Sequence, residues 1–572
     1  MTDEKTRMLI TVGRKALFAV MAILLAWLLL FALRGAISPS LINQMNQEGA
    51  GNWPRPAALP LSTWSWDWSK SLWSDRSVGR IVGERLGGTL AIIGGTMLLS
   101  LLIALLFLFV GGLIARATER PAGLDKTRSV LRLVLISGAV SAPIFLWQIL
   151  VSAFPPMWLG IPEESPFAFW LSALFVSALP VWLVVQYGHG EMSKMAAMPG
   201  GLSWRHLSAR LFIRDLRLAG LFVVMIVLVG FAASPLDLGR QFANAVNRRD
   251  FPVIFGVAFA FVVIVVLFRL AADLAEIAYR YFAHQTRAVP AAEAPTGISR
   301  LPRWVPAVCL GLVAAALVIA VAAPLVAPYG PNERLLSERL SGPSPAHILG
   351  TDNLGRDVLS RLVLGIREDV LLALAAVGIM FLLAVGWSIL AACARRSDDW
   401  QGDTMEDLVM LPRDVLYAFP WLVLLLLMVS FAVPDSGRGP ASSLPVILAA
   451  SLVLLPRAVG VLQEAPQSAP EGRSWRQGLL RALPVMALFA VAGGIVYVAT
   501  ASYLGLGVPP PTPELGGMLA GPVWAYMLQA PWMAVWPSVA LILLLTVWVM
   551  AGESLLERFG FRTKAVWSKI WE

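Results

Sequence analysis

Gly350, Thr351, Asp352, Gly355, Arg356 and Asp357 crowd one short stretch, and such residue types build geometry rather than break bonds. The glycines permit tight backbone turns, and Asp352 is placed to accept local backbone hydrogen bonds. From Arg356 onward, Val358, Leu359, Leu362 and Val363 form an apolar stripe against lipid or protein, with Arg356 and Arg361 toward water. A second group occurs twice, as Gly201-x-Ser203-Trp204-Arg205 and Gly472-x-Ser474-Trp475-Arg476. Glycine allows a sharp turn, serine caps a following helix, tryptophan anchors it, and arginine pairs with an acidic partner. The same residues also suit plain anchoring at a membrane surface. A third group runs from Leu504 to Leu519 through Gly505, Gly507, Pro510, Pro513, Glu514 and Gly516. Its prolines dictate a stiff, extended segment, suited to an outer gate or docking surface, or to a turn before a short helix.

Covalent chemistry is not signalled. His189, His206, His284 and His347 are scattered without metal-ligand spacing and read as surface or interfacial residues. No paired carboxylates, nucleophile with base, or Gly-x-x-x-x-Gly-Lys-[Ser/Thr] loop stands out. Cys309 and Cys393 lie far apart, which argues against a disulfide framework.

The elements that position these groups are membrane spans. The chain has 572 residues, 58% hydrophobic and 14% charged, with a mean hydropathy of +0.72. This composition marks an all-α integral membrane protein. Apolar stretches begin near Met8, Gly88, Leu133, Phe167, Ala219, Phe251, Trp304, Val370, Val415, Leu444, Pro484 and Trp532, about twelve spans. The first is too long for a signal-peptide core and should stay attached. Cytoplasmic termini place most of the 45 Lys and Arg residues inside, with Arg269 alone within a span. The net charge of +9 is thus largely a topology signal, and nucleic acid is not an expected partner.

The spans fall into two sets of six. Gly355-Arg356-x-Val358-x-x-Arg361-Leu362 echoes Gly79-Arg80-x-Val82-x-x-Arg85-Leu86, 276 positions apart. The Gly-x-Ser-Trp-Arg pair is 271 apart, and Asp237-Leu238-Gly239 matches Glu514-Leu515-Gly516 at 277. Nearly constant offsets indicate duplication. An even number of spans per copy makes the repeats parallel, with their interface at mid-membrane a natural solute path. The expected organisation is a first half, 1–283, a cytoplasmic linker, 284–303, and a second half, 304–572. Long external loops occupy 34–87 and 328–367, and cytoplasmic loops 187–218 and 457–483. Trp53, Trp64, Trp66, Trp68 and Trp73 crowd the first external loop, as an aromatic belt or a ligand-binding cluster.

Leu349 to Leu362, and Tyr503 to Leu519 with Ala530-Pro531-Trp532 behind, resemble the two signatures of one permease type in the dipeptide, oligopeptide and nickel family of ABC importers. Ser77 to Leu90, and Leu238-Gly239-x-x-x-Ala243 with Asn247 to Val253, resemble the partner permease, as if both were fused in one chain. The resemblance implies a type I importer permease of the bacterial inner membrane, in contact with lipid. It further implies two cytoplasmic ATPase subunits, or one fused ATPase, that bind ATP and Mg, and an extracytoplasmic solute-binding protein. It places ATPase coupling at Glu191, Ala196, Ala197, Gly201, Ser203, Trp204 and Arg205, and at Glu464, Gly472, Ser474, Trp475 and Arg476. These two loops are degenerate copies of the family's Glu-Ala-Ala…Gly pattern, and the second carries Pro466 and Pro470. Alternating access driven by ATP, moving peptides, peptide-like solutes or metal chelates, is the reading these residues favour. Its rivals are an ion-coupled carrier, disfavoured by few ionisable residues at mid-span, and a non-transporting assembly or signalling protein whose coupling loops have decayed.

Overall fold

The structure, a computed structural model, describes residues 2–35, 76–117, 204–232, 237–248, 250–285, 304–394, 400–432, 443–464, 475–508, 511–520 and 529–559, with isolated positions between them. Every regular element among them is helical, and strand-like pairing is limited to single bridges, Lys70 with Ser77 and Thr351 with Asp357. The first half holds α1 Thr2–Gly35, α2 Val78–Ala117, α3 Trp204–Arg217, α4 Ala219–Ala232, α5 Leu238–Arg248 and α6 Phe251–Gln285. The second holds α7 Trp304–Val326, α8 Val358–Ala394, α9 Trp400–Ala418, α10 Trp421–Ala432, α11 Leu444–Glu464, α12 Trp475–Tyr503, α13 Leu515–Met518 and α14 Trp532–Phe559.

Among the described residues, seven helices are long and apolar enough to cross a bilayer, and α9 with α10 makes an eighth if that bent pair is one span. The spans expected near Leu133 and Phe167 lie outside the described residues, as does the tryptophan cluster of the first external loop. Helices α2 and α8 start earlier than the apolar runs at Gly88 and Val370. An apolar run marks only the lipid-crossing part, whereas capping fixes the helix start: Ser77 O accepts from Arg80 N, and the Asp357 carboxylate from Ser360 N. The stretch near Val415 is not one straight span. It bends by 91° between Ala418 and Trp421, where Pro420 lacks an N–H and its ring disfavours helix at Phe419. The two loops expected on the cytoplasmic side are partly helical. Helix α3 takes Trp204–Arg217 of the loop expected over 187–218, and α11 runs to Glu464, so Arg457 sits within a helix.

The two halves repeat in packing. α1 lies on α6 as α7 lies on α14, α2 on α4, α5 and α6 as α8 on α12, α13 and α14, and α4 on α5 as α12 on α13. Close approach explains why glycine recurs. A methyl group on Gly239 would lie 2.5 Å from the Ile226 carbonyl oxygen, and one on Gly516 would lie 2.0 Å from that of Ala499. The preceding residue's backbone amide is caught alike, Leu238 N by Thr89 Oγ1 at 2.9 Å and Leu515 N by Asp369 Oδ2 at 3.4 Å. The opening echo is an exception. Gly79 and Arg80 lie inside α2, whereas Gly355 precedes α8 at φ +72.

Helix α12 is the centre of the second half, with 83% of its most apolar window buried, against 28% for α7, whose Val321 and Leu325 face outward as lipid-contacting residues do. The halves meet where α9 touches α1 and α6, and α10 touches α4 and α6.

Candidate functional site

Two places carry the residues singled out above, a folded cap ahead of α8 and the starts of α3 and α12. In the cap, Asp352 Oδ1 accepts from Leu354 N at 2.8 Å and Arg356 N at 3.0 Å, closing the turn as its sequence suggested. Gly350 and Gly355 stand at φ +78 and +72, the left-handed region that glycine adopts without strain. A side chain on Gly355 would also meet the Leu335 carbonyl oxygen at 2.0 Å. Arg356 and Arg361 do not point to water. Arg356 Nε bonds Asp352 Oδ2 at 2.6 Å, and Arg361, buried, donates to Pro331 O at 3.0 Å and lies 3.8 Å from the same carboxylate. With a carboxylate and a carbonyl to bind, folding the guanidinium groups inward satisfies more donors than an amphipathic surface helix would.

His347 is the residue that sequence reasoning missed. Read as a surface histidine, it is instead buried between two carboxylates, with Nδ1 2.9 Å from Asp357 Oδ1 and Nε2 2.7 Å from Glu338 Oε2. Its ring lies 4.8 Å from that of Tyr329, whose hydroxyl donates to Ala346 O at 3.0 Å. Burial on its own would lower the imidazole pKa, but the hydrogen bonds and charges of Asp357 and Glu338 raise it above 6.5. Asp357 Oδ2 also takes the amide and hydroxyl of Ser360, each at 2.7 Å, so one carboxylate both starts α8 and holds His347.

Trp532, beyond the third sequence group, closes on this cap. Trp532 Nε1 donates to Thr351 O at 3.1 Å, and the same indole leaves no room for a side chain on Gly350. Helix α12 ends in a left-handed cap: Gly505 stands at φ +79, Leu506 N bonds Ala501 O and Gly505 N bonds Ser502 O. Gly507 packs where a side chain would strike Ser502. Pro513 is buried, and Pro510 lies outside the described residues. Glu514 starts α13 by accepting from Gly516 N at 2.9 Å and Gly517 N at 2.6 Å. The cap and Trp532 are thus one structure built from separated segments.

At the other place, α3 begins at Trp204 and α12 at Trp475, each directly after its Gly-x-Ser. Trp204 and Arg205 are exposed, with Trp204 5.9 Å from the ring of Phe109. Glu191, Ala196, Ala197, Gly201, Ser203, Gly472 and Ser474 lie outside the described residues, and of Glu464, Trp475 and Arg476 only the helical backbone is described. Helix α3 is tied to α6 by ions: Glu276 of α6 takes Arg210 at 3.3 Å and Arg217 at 3.6 Å, while Arg280 of the same helix holds that carboxylate at 2.8 Å. Displacement of α3 is therefore felt by α6.

No protein-family model matches the chain. The dipeptide transport system permease protein DppC of Escherichia coli K12 is 30% identical over 267 residues, which is 43% of this chain and 86% of that protein. DppC of Haemophilus influenzae is 26% identical over 264 residues, with the same coverage. The di/tripeptide transport system permease protein DppC of Pseudomonas aeruginosa is 30% identical over 263 residues, 42% of this chain and 83% of that protein. Near-complete coverage of these permeases, on a helical chain with membrane-crossing segments, means that this chain belongs to the DppC family of transport permeases.

Proposed function

We propose that this chain is the membrane-spanning part of an ATP-driven peptide importer and that it contains both permease halves. The alignment over 86% of DppC carries the reading, because only 43% of this chain is needed to supply it. The recurring glycine and amide contacts of Gly239 with Leu238 and Gly516 with Leu515 support a second unit of the same kind in the remainder. As a transport subunit of a multi-pass inner-membrane protein it hydrolyses nothing itself. ATPase partners supply that reaction from the cytoplasm, and a solute-binding protein delivers the peptide from the other side.

In this scheme ATP binding closes the ATPases against the starts of α3 and α12, and Arg205 and Arg476 pair with acidic groups there. Helix α3 moves α6 through Glu276, and the halves rock about their seam. The cap of residues 328–357 with Trp532 forms the outer rim on which the delivery protein rests. The free energy of ATP biases the two states.

The test is uptake of a labelled dipeptide into proteoliposomes holding the chain, its ATPases and the binding protein. Uptake should require hydrolysable ATP and should persist without an ion gradient. Uptake driven by an imposed ion gradient in the absence of ATP would instead establish the secondary-carrier alternative.

A further inference from the structure

Two carboxyl groups meet in a buried contact between α8 and α13. Asp369 of α8 is 0% exposed, and Glu514, which starts α13, is 2% exposed. The elements touch closely there: a methyl group on Gly365, one turn before Asp369, would lie 3.5 Å from Leu515 N and 3.6 Å from the Glu514 carbonyl carbon. The Glu514 carboxyl group stands within hydrogen-bond reach of that of Asp369. Each oxygen of Glu514 already accepts a backbone amide, Oε1 from Gly516 at 2.9 Å and Oε2 from Gly517 at 2.6 Å. Asp369 Oδ2 accepts from Leu515 N at 3.4 Å. Its Oδ1 is buried and finds no donor among the described residues.

No base balances this pair among the described residues. Besides Glu514, the charged side chain that acts on Asp369 is Glu368, which is acidic as well. Two buried carboxylates side by side without a base lose their hydration and repel each other. One proton removes both penalties, because it turns Asp369 Oδ1 from an acceptor without a donor into a donor facing an acceptor. The amides decide which group carries it. Glu514 accepts on both oxygens, as a carboxylate does at a helix start, whereas Asp369 has one oxygen left over.

The first half offers a comparison. Its matching amide, Leu238 N, is held at 2.9 Å by Thr89 Oγ1, a neutral hydroxyl that donates in turn to Arg85 O at 3.2 Å. Asp237 accepts from Arg240 N at 2.8 Å and starts α5 as Glu514 starts α13. A neutral group with one O–H therefore does there what Asp369 does in the second half.

We propose that Asp369 binds a proton on Oδ1 and donates it to the Glu514 carboxylate, making this contact a proton-binding site that pins α13 to α8. The bond is charge-assisted, and it gives Glu514 a third donor besides its two amides. The site needs neither solute nor ATPase, so the purified full chain suffices to test it.

Infrared spectra at neutral pH should show a protonated carboxyl band that shifts in D2O and is lost in D369N. In thermal unfolding at the same pH, D369N keeps an N–H donor toward Glu514 and should match the wild type. E514Q must turn an NH2 group toward a glycine amide and should lower Tm by about 2 °C or more. D369T places at this position the hydroxyl that the first half uses, so if D369N does not fold, D369T should still fold and lack the band. A carboxyl region identical in the wild type and the neutral variant overturns the assignment. So do two neutral variants that fail to fold or lose as much stability as E514Q, and an E514Q chain as stable as the wild type.

Discussion

His347 shows how one residue can set the condition under which the cap is firm. Its two ring nitrogens face Asp357 and Glu338, a geometry that suits the protonated ring, which donates from both. Its raised pKa means that the stabilisation is fully present below the ordinary value of 6.5 and is lost as pH rises through the folded-state value. The purified chain should therefore unfold at lower temperature as pH is taken from 6 toward 9, and H347Q should flatten that dependence. An unchanged pH profile in H347Q would show that other groups carry it. Glycines in the same cap give a second expectation. G355A must hold alanine at φ +72 against the Leu335 carbonyl and should cost at least about 1–3 kcal/mol, read as a drop in Tm. G505A shares the backbone penalty but has open space around it, so it should cost less than G355A. The glycines and Asp352 were legible in the sequence because turn chemistry is local. His347 and Arg361 were not, because their partners Glu338, Tyr329 and Pro331 are nine or more positions away.

At the scale of elements, hydropathy located the lipid-crossing core of the helices but not their ends. Periodicity is silent on polar turns that continue a helix, which is why α8 begins at Val358 and α11 carries Arg457 inside it. The Trp-Arg helix starts were legible, since a glycine turn, a serine and a tryptophan together signal a helix beginning at a membrane surface. Arg205 is exposed at the start of α3, so reversing its charge should leave folding intact. In the proposed scheme, R205E with R476E should release the ATPases on affinity purification and lower peptide-stimulated ATP hydrolysis by tenfold or more, with Tm unchanged. Retained ATPases with full stimulation would place the coupling contact elsewhere.

For the whole molecule, the question is whether the halves are held by the linker or by the seam. The proposed duplication is read from offsets, and one pair of its anchors, Gly239 on Ile226 and Gly516 on Ala499, marks close contacts that leave no room for a side chain. The seam was not legible, since α9 meets α1 and α6, and α10 meets α4 and α6, from opposite ends of the chain. Association inside a membrane depends on packing and polar contacts, because lipid removes the hydrophobic advantage of burial. The Arg269 and Tyr417 contact supplies one such polar element across the seam. A protease site placed in 284–303 of the full chain should therefore, once cut, leave the halves together in detergent and leave ATP-driven uptake in place. Adding R269Q to that cut chain removes the cation and should let a fraction of the halves part on size exclusion, while uncut R269Q still elutes as one species. Halves that separate on cutting alone would show that the linker holds the pair, and the rocking scheme would then lose the interface on which it turns.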